Sequence, residues 1–569
     1  MTSSDSSVAV SGAEHAAASC VSDIVAYLFG QYPSAARQAG RHELDGCLPL
    51  SCARSAVGHG VLAATAARHL GALPDDADPE LRADLDAAMR MAEGERFRAT
   101  ELAQPHLTPL EVLAETDLSP FLRPYAPLTE RLDALDTHLS RLPSFLAEAA
   151  DTVPARLPAG ERLLAVEQAQ AQAITIGNVV RQLNQAEGTD GRARRAVAAE
   201  GRIAAGEAAS VACADFARVA AATRPSPGLL GPDRLAEFLR IKEGIDRRPG
   251  DLLEEAIEEV ASLLSALDSA ARDMGAGGRR AACELMADHV SDTPVTEHLA
   301  SVIQRLRDFW EHLDVVSMDT VVPLEIRPAV GPGTATAVEF SLSPPLEPIR
   351  QPHILYLPEL PAANEDARFQ ARRRYLNDPM INVIAVHEVY VGHYLHAEAA
   401  ARGPSVVRAC FPSITGYAEG WAHYAEELAV EYGLADGQPL VRIAQLKSAL
   451  ESAVRLVSYL SMHLMRSPFA EAAALAARSC DWSAERAARE VLVVAADPTP
   501  AMYTLAKLRI REWRAAVSAA SRPSLKAFHD RLMRCGNAPL ATVWRYYLDG
   551  EHDGTVAGAG GPTTNAEVR

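Results

Sequence analysis

Apolar residues recur at steps of three and four along most of the chain, the spacing that lines side chains along one face of an α-helix. In 251–274, DLLEEAIEEVASLLSALDSAARDM, the residues Leu253, Ile257, Val260, Leu264 and Leu267 form such a series and predict a helix that buries this stripe. Ala, Leu, Glu and Arg, all good helix formers, dominate these stretches. Pro154, Pro158, Pro225 and Pro227 punctuate them and are expected in connections. The pattern changes from Val321 to Pro361, where prolines crowd among short β-branched and aromatic runs. Thr336–Leu342 and His353–Leu357 read there as two short strands. The expected fold class is mostly α, a large multi-helix body with a small β insert near 321–361.

Length and composition divide this picture further. A chain of 569 residues exceeds what one hydrophobic core serves, so two or more lobes are expected. Residues 1–18 are small and polar, and 551–569 are rich in Gly and Thr; both read as disordered. Between them lie an expected helical N-terminal region (19–320), the Pro-rich β insert (321–361) and a second helical region (362–550). Lys plus Arg number 55 against 74 Asp plus Glu, a net charge of −19. That balance argues against nucleic acid or an anionic membrane as partner, since both require a basic footprint. The run Arg372–Arg374 reads as a solvated helix face. Cys20, Cys47, Cys52, Cys213, Cys283, Cys410, Cys480 and Cys535 form no C-x-x-C pair and are expected as reduced thiols. The first twenty residues lack a basic start and a sustained apolar run, and no stretch approaches a membrane span. A cytoplasmic location is therefore expected.

The chemistry concentrates in two segments. Residues 381–400 read INVIAVHEVYVGHYLHAEAA, an apolar run leading into His387 and Glu388, with His393 six positions after His387. A His-Glu pair at the end of an apolar helix is the core of zinc hydrolase sites: imidazoles hold the metal and the adjacent carboxylate takes a proton from water. On an unbroken helix, six residues turn about 600° and leave the two imidazoles about 120° apart. They converge only if the helix is interrupted, and Gly392 is the residue type that permits a break. The second segment, 416–433, reads GYAEGWAHYAEELAVEYG and places Glu419, Glu426 and Glu427 on another helix. Glu419 follows His393 by 26 residues, enough for a loop and an antiparallel return. Two histidines and one glutamate with an open position form a known hydrolytic zinc arrangement.

HEVYVGHYLH followed by EGWAHYAEEL resembles the paired signature of the domain-of-unknown-function 885 family, large helical bacterial proteins that resemble zinc metallopeptidases. Members typically show H-E-x-x-P-G-H-H-x-Q and then E-G-W-A-x-Y. QYPSAARQAGRHELDG at 31–46, with Gly40, His42 and Asp45, resembles the family's N-terminal element. RLVSYLSMH at 455–463 and the segments within 503–540 resemble further family stretches, so the likeness spans about residues 22–548. The resemblance implies a zincin-like body with a deep cleft, His387, His393 and Glu419 as ligands to one zinc ion per chain, and Glu388 as general base. It further implies Tyr503 as a phenol donor to a developing oxyanion, Arg455 and His463 as substrate contacts, and His423 and Glu426 as groups orienting the ligands. Val391, Tyr394, His396, Tyr459 and Ser461 depart from the family pattern, and the usual S-R-P-G run before the motif is missing.

The expected function is a zinc-dependent, metalloprotease-like hydrolase acting on an amide or peptide bond of a short peptide or small molecule. The departures motivate a rival, a metal-dependent tailoring enzyme for a small metabolite. A third reading is a helical binding protein without catalysis.

Overall fold

The computed structural model of the chain describes residues 12–187, 193–329, 338–358, 360, 365–403, 405–410, 415–519 and 524–548. It is mostly α. The N-terminal half contains α1 (Gly12–Gln31), α2 (Ala56–Ala72), α3 (Pro79–Thr100), α4 (Leu128–Thr152), α5 (Ala159–Glu187) and α6 (Ala193–Ala222). Short strands β1 (Arg156–Pro158) and β2 (Arg224–Ser226) pair in parallel at one end of the α5–α6 pair. The remainder contains α7 (Pro249–Asp273), α8 (Val295–Leu313), strands β3 (Leu324–Pro328), β4 (Glu339–Ser341) and β5 (His353–Leu357), and then α9 (Glu365–Tyr375), α10 (Asp378–Glu388) and α11 (His393–Ala400). It closes with α12 (Thr415–Glu431), α13 (Pro439–His463), α14 (Thr499–Ala519) and α15 (Leu525–Arg534).

Among the described residues, three apolar cores organise these elements. One gathers the inner faces of α1 and α3. A second lies between α4, α5 and α6 and includes Leu135, Leu139, Ile176 and Phe216. The largest runs from Leu235 to Leu548 and holds α7, α8 and α10–α15 together with β5. This largest core spans the expected boundary at 320, because α7 and α8 bury their apolar faces against α13 and α10. Within α7, Leu252, Leu253, Ala256, Val260, Leu263 and Leu267 face the core, whereas Ile257 is 51% exposed. The buried stripe is rotated from the series read in the sequence, since Ala256 and not Ile257 lies at the face that meets α13.

The β insert differs from expectation in one strand. β5 occupies the expected 353–357 and β4 covers part of the expected 336–342, while residues 336 and 337 lie outside the described residues. β3 was not legible: Pro323 and Pro328 flank Leu324–Arg327 and break the alternation that marks a strand. β5 is central, parallel to β3 and antiparallel to β4, with Ile354 and Leu355 buried. Of the disordered start expected over 1–18, the described part is corrected: α1 begins at Gly12, and Ala17 is already in a core, while residues 1–11 lie outside the described residues. The expected disordered tail at 551–569 lies outside the described residues.

The N-terminal element that carries Gly40, His42 and Asp45 clasps the β insert. Gly40 has φ +90°, and a Cβ there would meet the Glu347 backbone nitrogen at 2.9 Å, so only glycine suits both the turn and the approach. His42 sits between two carboxylates, Nδ1 at 3.1 Å from Asp45 and Nε2 at 3.1 Å from Glu347, and stacks on Tyr125 with ring centres 3.5 Å apart. Burial pulls the imidazole pKa down, but Asp45 and Glu347 outweigh it and raise it to about 9. A pKa raised on folding adds stability that is complete below the unfolded value of 6.5 and is lost as pH rises through about 9. Thermal denaturation of wild type and His42→Gln over this range should show a wild-type advantage at pH 6.5 that shrinks through pH 9. A constant difference across that range would contradict the clasp.

Candidate metal centre

The site is created by a break in a helix. α10 starts well: the Asn377 side chain accepts from Met380 N at 3.0 Å, and Pro379 occupies the first turn. It carries His387 and Glu388 in its last turn, and the chain leaves the helix at Val389. Four residues later α11 begins at His393 with Gly392 as N-cap. The two histidines therefore belong to two helices, and the 120° mismatch of a continuous helix disappears. Their rings face each other edge-on, with centroids 4.8 Å apart and planes at 88°.

A break inside a core exposes backbone groups that must find partners. Two fully buried tryptophans supply them. Trp310 at the end of α8 donates its indole N–H to Tyr390 O at 3.0 Å, and Trp421 of α12 donates to Val391 O at 2.8 Å. Gly392 is packed so tightly that a Cβ would fall 1.7 Å from His387 O. α12 reaches the site because Gly420 lets it lie directly on α14, where a Cβ would meet the Ala506 Cβ at 2.3 Å. Glu419, one residue earlier, then points at both histidines.

The three groups form a compact cluster. Glu419 Oε2 lies 3.3 Å from His387 Nε2 and 3.4 Å from His393 Nε2, and the ligand atoms of all three residues fall within 4.8 Å of one another. Charge-assisted hydrogen bonds are shorter, about 2.7–2.9 Å. Donors about 2.0–2.1 Å from a tetrahedral zinc are themselves about 3.3–3.4 Å apart. Glu419 Oε2 is also a buried oxygen without a hydrogen-bond partner among the described residues. An orphaned oxygen flanked by two imidazole nitrogens at this spacing fits a cation better than it fits a hydrogen-bond network.

Neighbouring residues orient the cluster. His387 Nδ1 and Glu426 Oε1 are 2.8 Å apart, so the ring N–H donates to the carboxylate and turns Nε2 toward Glu419 and His393. His423 is 3.6 Å from the same carboxylate oxygen and packs edge-on against His387. His423, Glu426 and His387 form a second grouping of the same size, but the 2.8 Å contact reads more simply as the hydrogen bond that sets the tautomer. Burial lowers the His423 pKa to about 4, so this ring is neutral. Phe340 of β4 stacks near His393 at 6.3 Å and near His353 at 5.4 Å, and so the β insert flanks the second histidine.

Charges around the cluster follow from burial and proximity. Burial pulls the His387 pKa down, but Glu419, Glu426 and Glu388 outweigh it, and the ring is held well above its ordinary value in the metal-free protein. Burial pushes the Glu419 carboxyl up, but His393 and His387 pull it far below the usual carboxylate range. Glu388 is half-buried, and burial with the charges of Glu419 and Glu426 raises it against the pull of His387 and His393. Burial, reinforced by Glu419, keeps the Tyr503 phenol protonated. Its ring lies 5.3 Å from His423 and 6.5 Å from His387, beside the cluster.

Two residues expected to contact substrate are occupied elsewhere. His463 is buried; its Nδ1 accepts from Leu230 N at 3.1 Å and its Nε2 lies 3.2 Å from Ala495 O. Both nitrogens serve backbone groups, which corrects its assignment to substrate. Arg455 pairs with Glu490 at 3.0 Å and lies over the Trp482 ring, so its charge is already balanced, although it still acts on Tyr503. Trp310 and Phe340 were missed, and nothing in the sequence pointed to them; Trp421 lay within the second motif but was given no role.

Two outcomes are expected. Gly392→Ala changes no ligand, yet should destabilise the fold by about 1–3 kcal/mol or more and weaken zinc binding at least about tenfold by prising His393 from His387. Denaturation and zinc titration of this variant check both; wild-type values would contradict the role of the break. Because the neighbouring carboxylates raise the His387 pKa well above its ordinary value in the metal-free protein, zinc uptake should release a proton and strengthen as pH rises. Calorimetry in buffers of different ionisation heat reads that proton, and the absence of release would contradict the cluster.

The family model described as "Bacterial protein of unknown function (DUF885)" matches residues 33–545. A solved structure from Shewanella oneidensis, described as a candidate lipoprotein of unknown function, superposes with TM-score 0.70 at 17% identity, covering 94% of this chain and 99% of its own. One from Colwellia psychrerythraea, also described as a candidate lipoprotein, gives TM-score 0.72 at 16% identity, covering 95% and 100%. At these identities the likeness is one of fold. No curated protein matches the sequence. The expected cytoplasmic location is overturned by the description of both structural relatives as candidate lipoproteins. Unpaired thiols were a poor guide to compartment, since six of the eight are buried and shielded from partners wherever the protein resides. Among the described residues no helix is long and apolar enough to cross a membrane. With the match running over nearly its whole length, the chain belongs to the DUF885 family of bacterial proteins of unknown function.

Proposed function

We propose that this protein is a zinc-dependent hydrolase of amide or peptide bonds, with His387, His393 and Glu419 holding one zinc ion and Glu388 acting as general base. The observation that carries the reading is the orphaned Glu419 oxygen set 3.3 and 3.4 Å from two imidazole nitrogens. When bound, zinc supplies Lewis acidity toward a carbonyl oxygen and toward water. Glu388, next to the first ligand and raised by burial, takes the proton from the attacking water and returns it to the leaving amine. Glu426 holds His387 in the tautomer that offers Nε2. Tyr503, kept protonated, can donate to the oxygen that gains charge. The substrate is a short peptide or an amide-bearing small molecule.

The departures from the family pattern do not favour the tailoring or binding readings. Val391, Tyr394, His396 and Tyr459 are all buried, at 0–4% exposure. Tyr394 donates to Val322 O at 2.7 Å, His396 packs on Tyr417, and Tyr459 packs on His463. These substitutions are spent on core packing.

Zinc-loaded wild type and Glu388→Gln should be incubated with a peptide library and the products read by mass spectrometry. The variant is expected to keep its zinc and to cut about 10²–10⁴ times more slowly. A variant as active as wild type would remove Glu388 from its role, and a zinc-loaded wild type that cuts no member would contradict the peptide-bond assignment.

A further inference from the structure

A cavity of about 490 Å³ lies apart from the histidine cluster, between α9, the start of α10, α13 and the helices Arg279–Asp288 and Ala484–Ala496. Arg373, Arg374, Lys447 and Arg486 line it, with Met286 and Met380 among its apolar surfaces. Four cations around one cavity run against the composition of a chain with net charge −19. Their partners do not cancel them. Arg373 pairs with Asp288, while Lys447 and Arg486 share the single carboxylate of Glu451. Arg374 has no carboxylate partner among the described residues and lies over the Tyr375 ring at 4.8 Å. Among the described residues, two carboxylates thus pair with three of the four cations. The charges beyond this rim pair among themselves, Arg279 with Asp268 and Arg280 with Glu284 and Asp481.

The cations are also held in place. Arg486 lies over Trp482 at 4.4 Å, and Trp482 donates its indole N–H to Glu451 at 2.9 Å. A guanidinium fixed on an aromatic face presents its remaining N–H groups as a fork suited to an oxyanion. The volume lies in the range that accepts small ligands, and the methionines give an apolar body something to rest on. Met380 and His387 are seven residues apart on α10, about 10 Å along one helix face, which separates this cavity from the metal centre.

We propose that this cavity is a binding site for a small organic anion, a carboxylate or phosphate monoester with an apolar body. The oxyanion lies between Arg374, Arg486 and Lys447, and the apolar part lies on the methionines. The site does not depend on the hydrolase reading, so it is tested on the full-length protein stripped of metal. Phenyl phosphate and phenylacetate are titrated by calorimetry, with benzyl alcohol as the uncharged control and inorganic phosphate as competitor. At least one anion is expected to bind and to weaken with added salt. Arg374→Glu, at an exposed position, is expected to weaken it by about tenfold or more, and Arg486→Ala to weaken it as well. Competition by inorganic phosphate assigns the site to phosphate monoesters, and preference for phenylacetate assigns it to carboxylates. The proposal is overturned if neither anion binds up to about 10 mM, if benzyl alcohol binds as well as they do, or if both variants bind like wild type.

Discussion

The proposed metal centre depends on one constraint: the helix that carries His387 must stop before it reaches His393. A continuous helix would splay the two imidazoles, whereas the break from Val389 to Gly392 sets them edge to edge. Such a break costs backbone hydrogen bonds within a core, and the structure offsets it with two indole N–H donors from different helices. The packing of α8 and α12 around α10 therefore does more than bury apolar surface. It holds open a local geometry that the isolated segment has no reason to adopt.

Electrostatics favours the proposed cation site over a simple buried ion-pair network. Carboxylates and imidazoles gathered away from water need close, well-formed contacts to offset their desolvation. His387 and Glu426 have such a contact at 2.8 Å, while Glu419 stands off both histidines at 3.3–3.4 Å and leaves one oxygen unmatched. The orienting pair is complete, whereas the proposed ligand set leaves that oxygen without a partner. A divalent cation would supply the missing counter-charge and satisfy the spacing together.

Much of this was legible in the sequence because it lay in local patterns. The helical class followed from apolar periodicity; a His-Glu pair, a glycine at the right place and glutamates on a following helix marked the candidate site, and the family resemblance implied His387, His393 and Glu419 as its ligands. The rotation of the α7 stripe was not legible, since Ile257 and Ala256 are equally compatible with a helix and only the partner α13 decides between them. The core that spans the expected boundary at 320 was missed for a related reason: α7 and α8 precede the β insert in sequence but pack with helices beyond it, α13 and α10. His463 and Arg455 failed as free substrate contacts because their partners, Leu230, Ala495 and Glu490, are distant in the chain. Long-range partners are what a single sequence hides.

The central claim is that His387, His393 and Glu419 hold a metal ion. Elemental mass spectrometry of the purified protein, beside His387→Ala and Glu419→Ala, tests it most directly. About one zinc per wild-type chain, lost in both variants while their helical content persists, is the expected result. A wild type that takes up no metal after incubation with zinc, or variants that retain it fully, would contradict the claim.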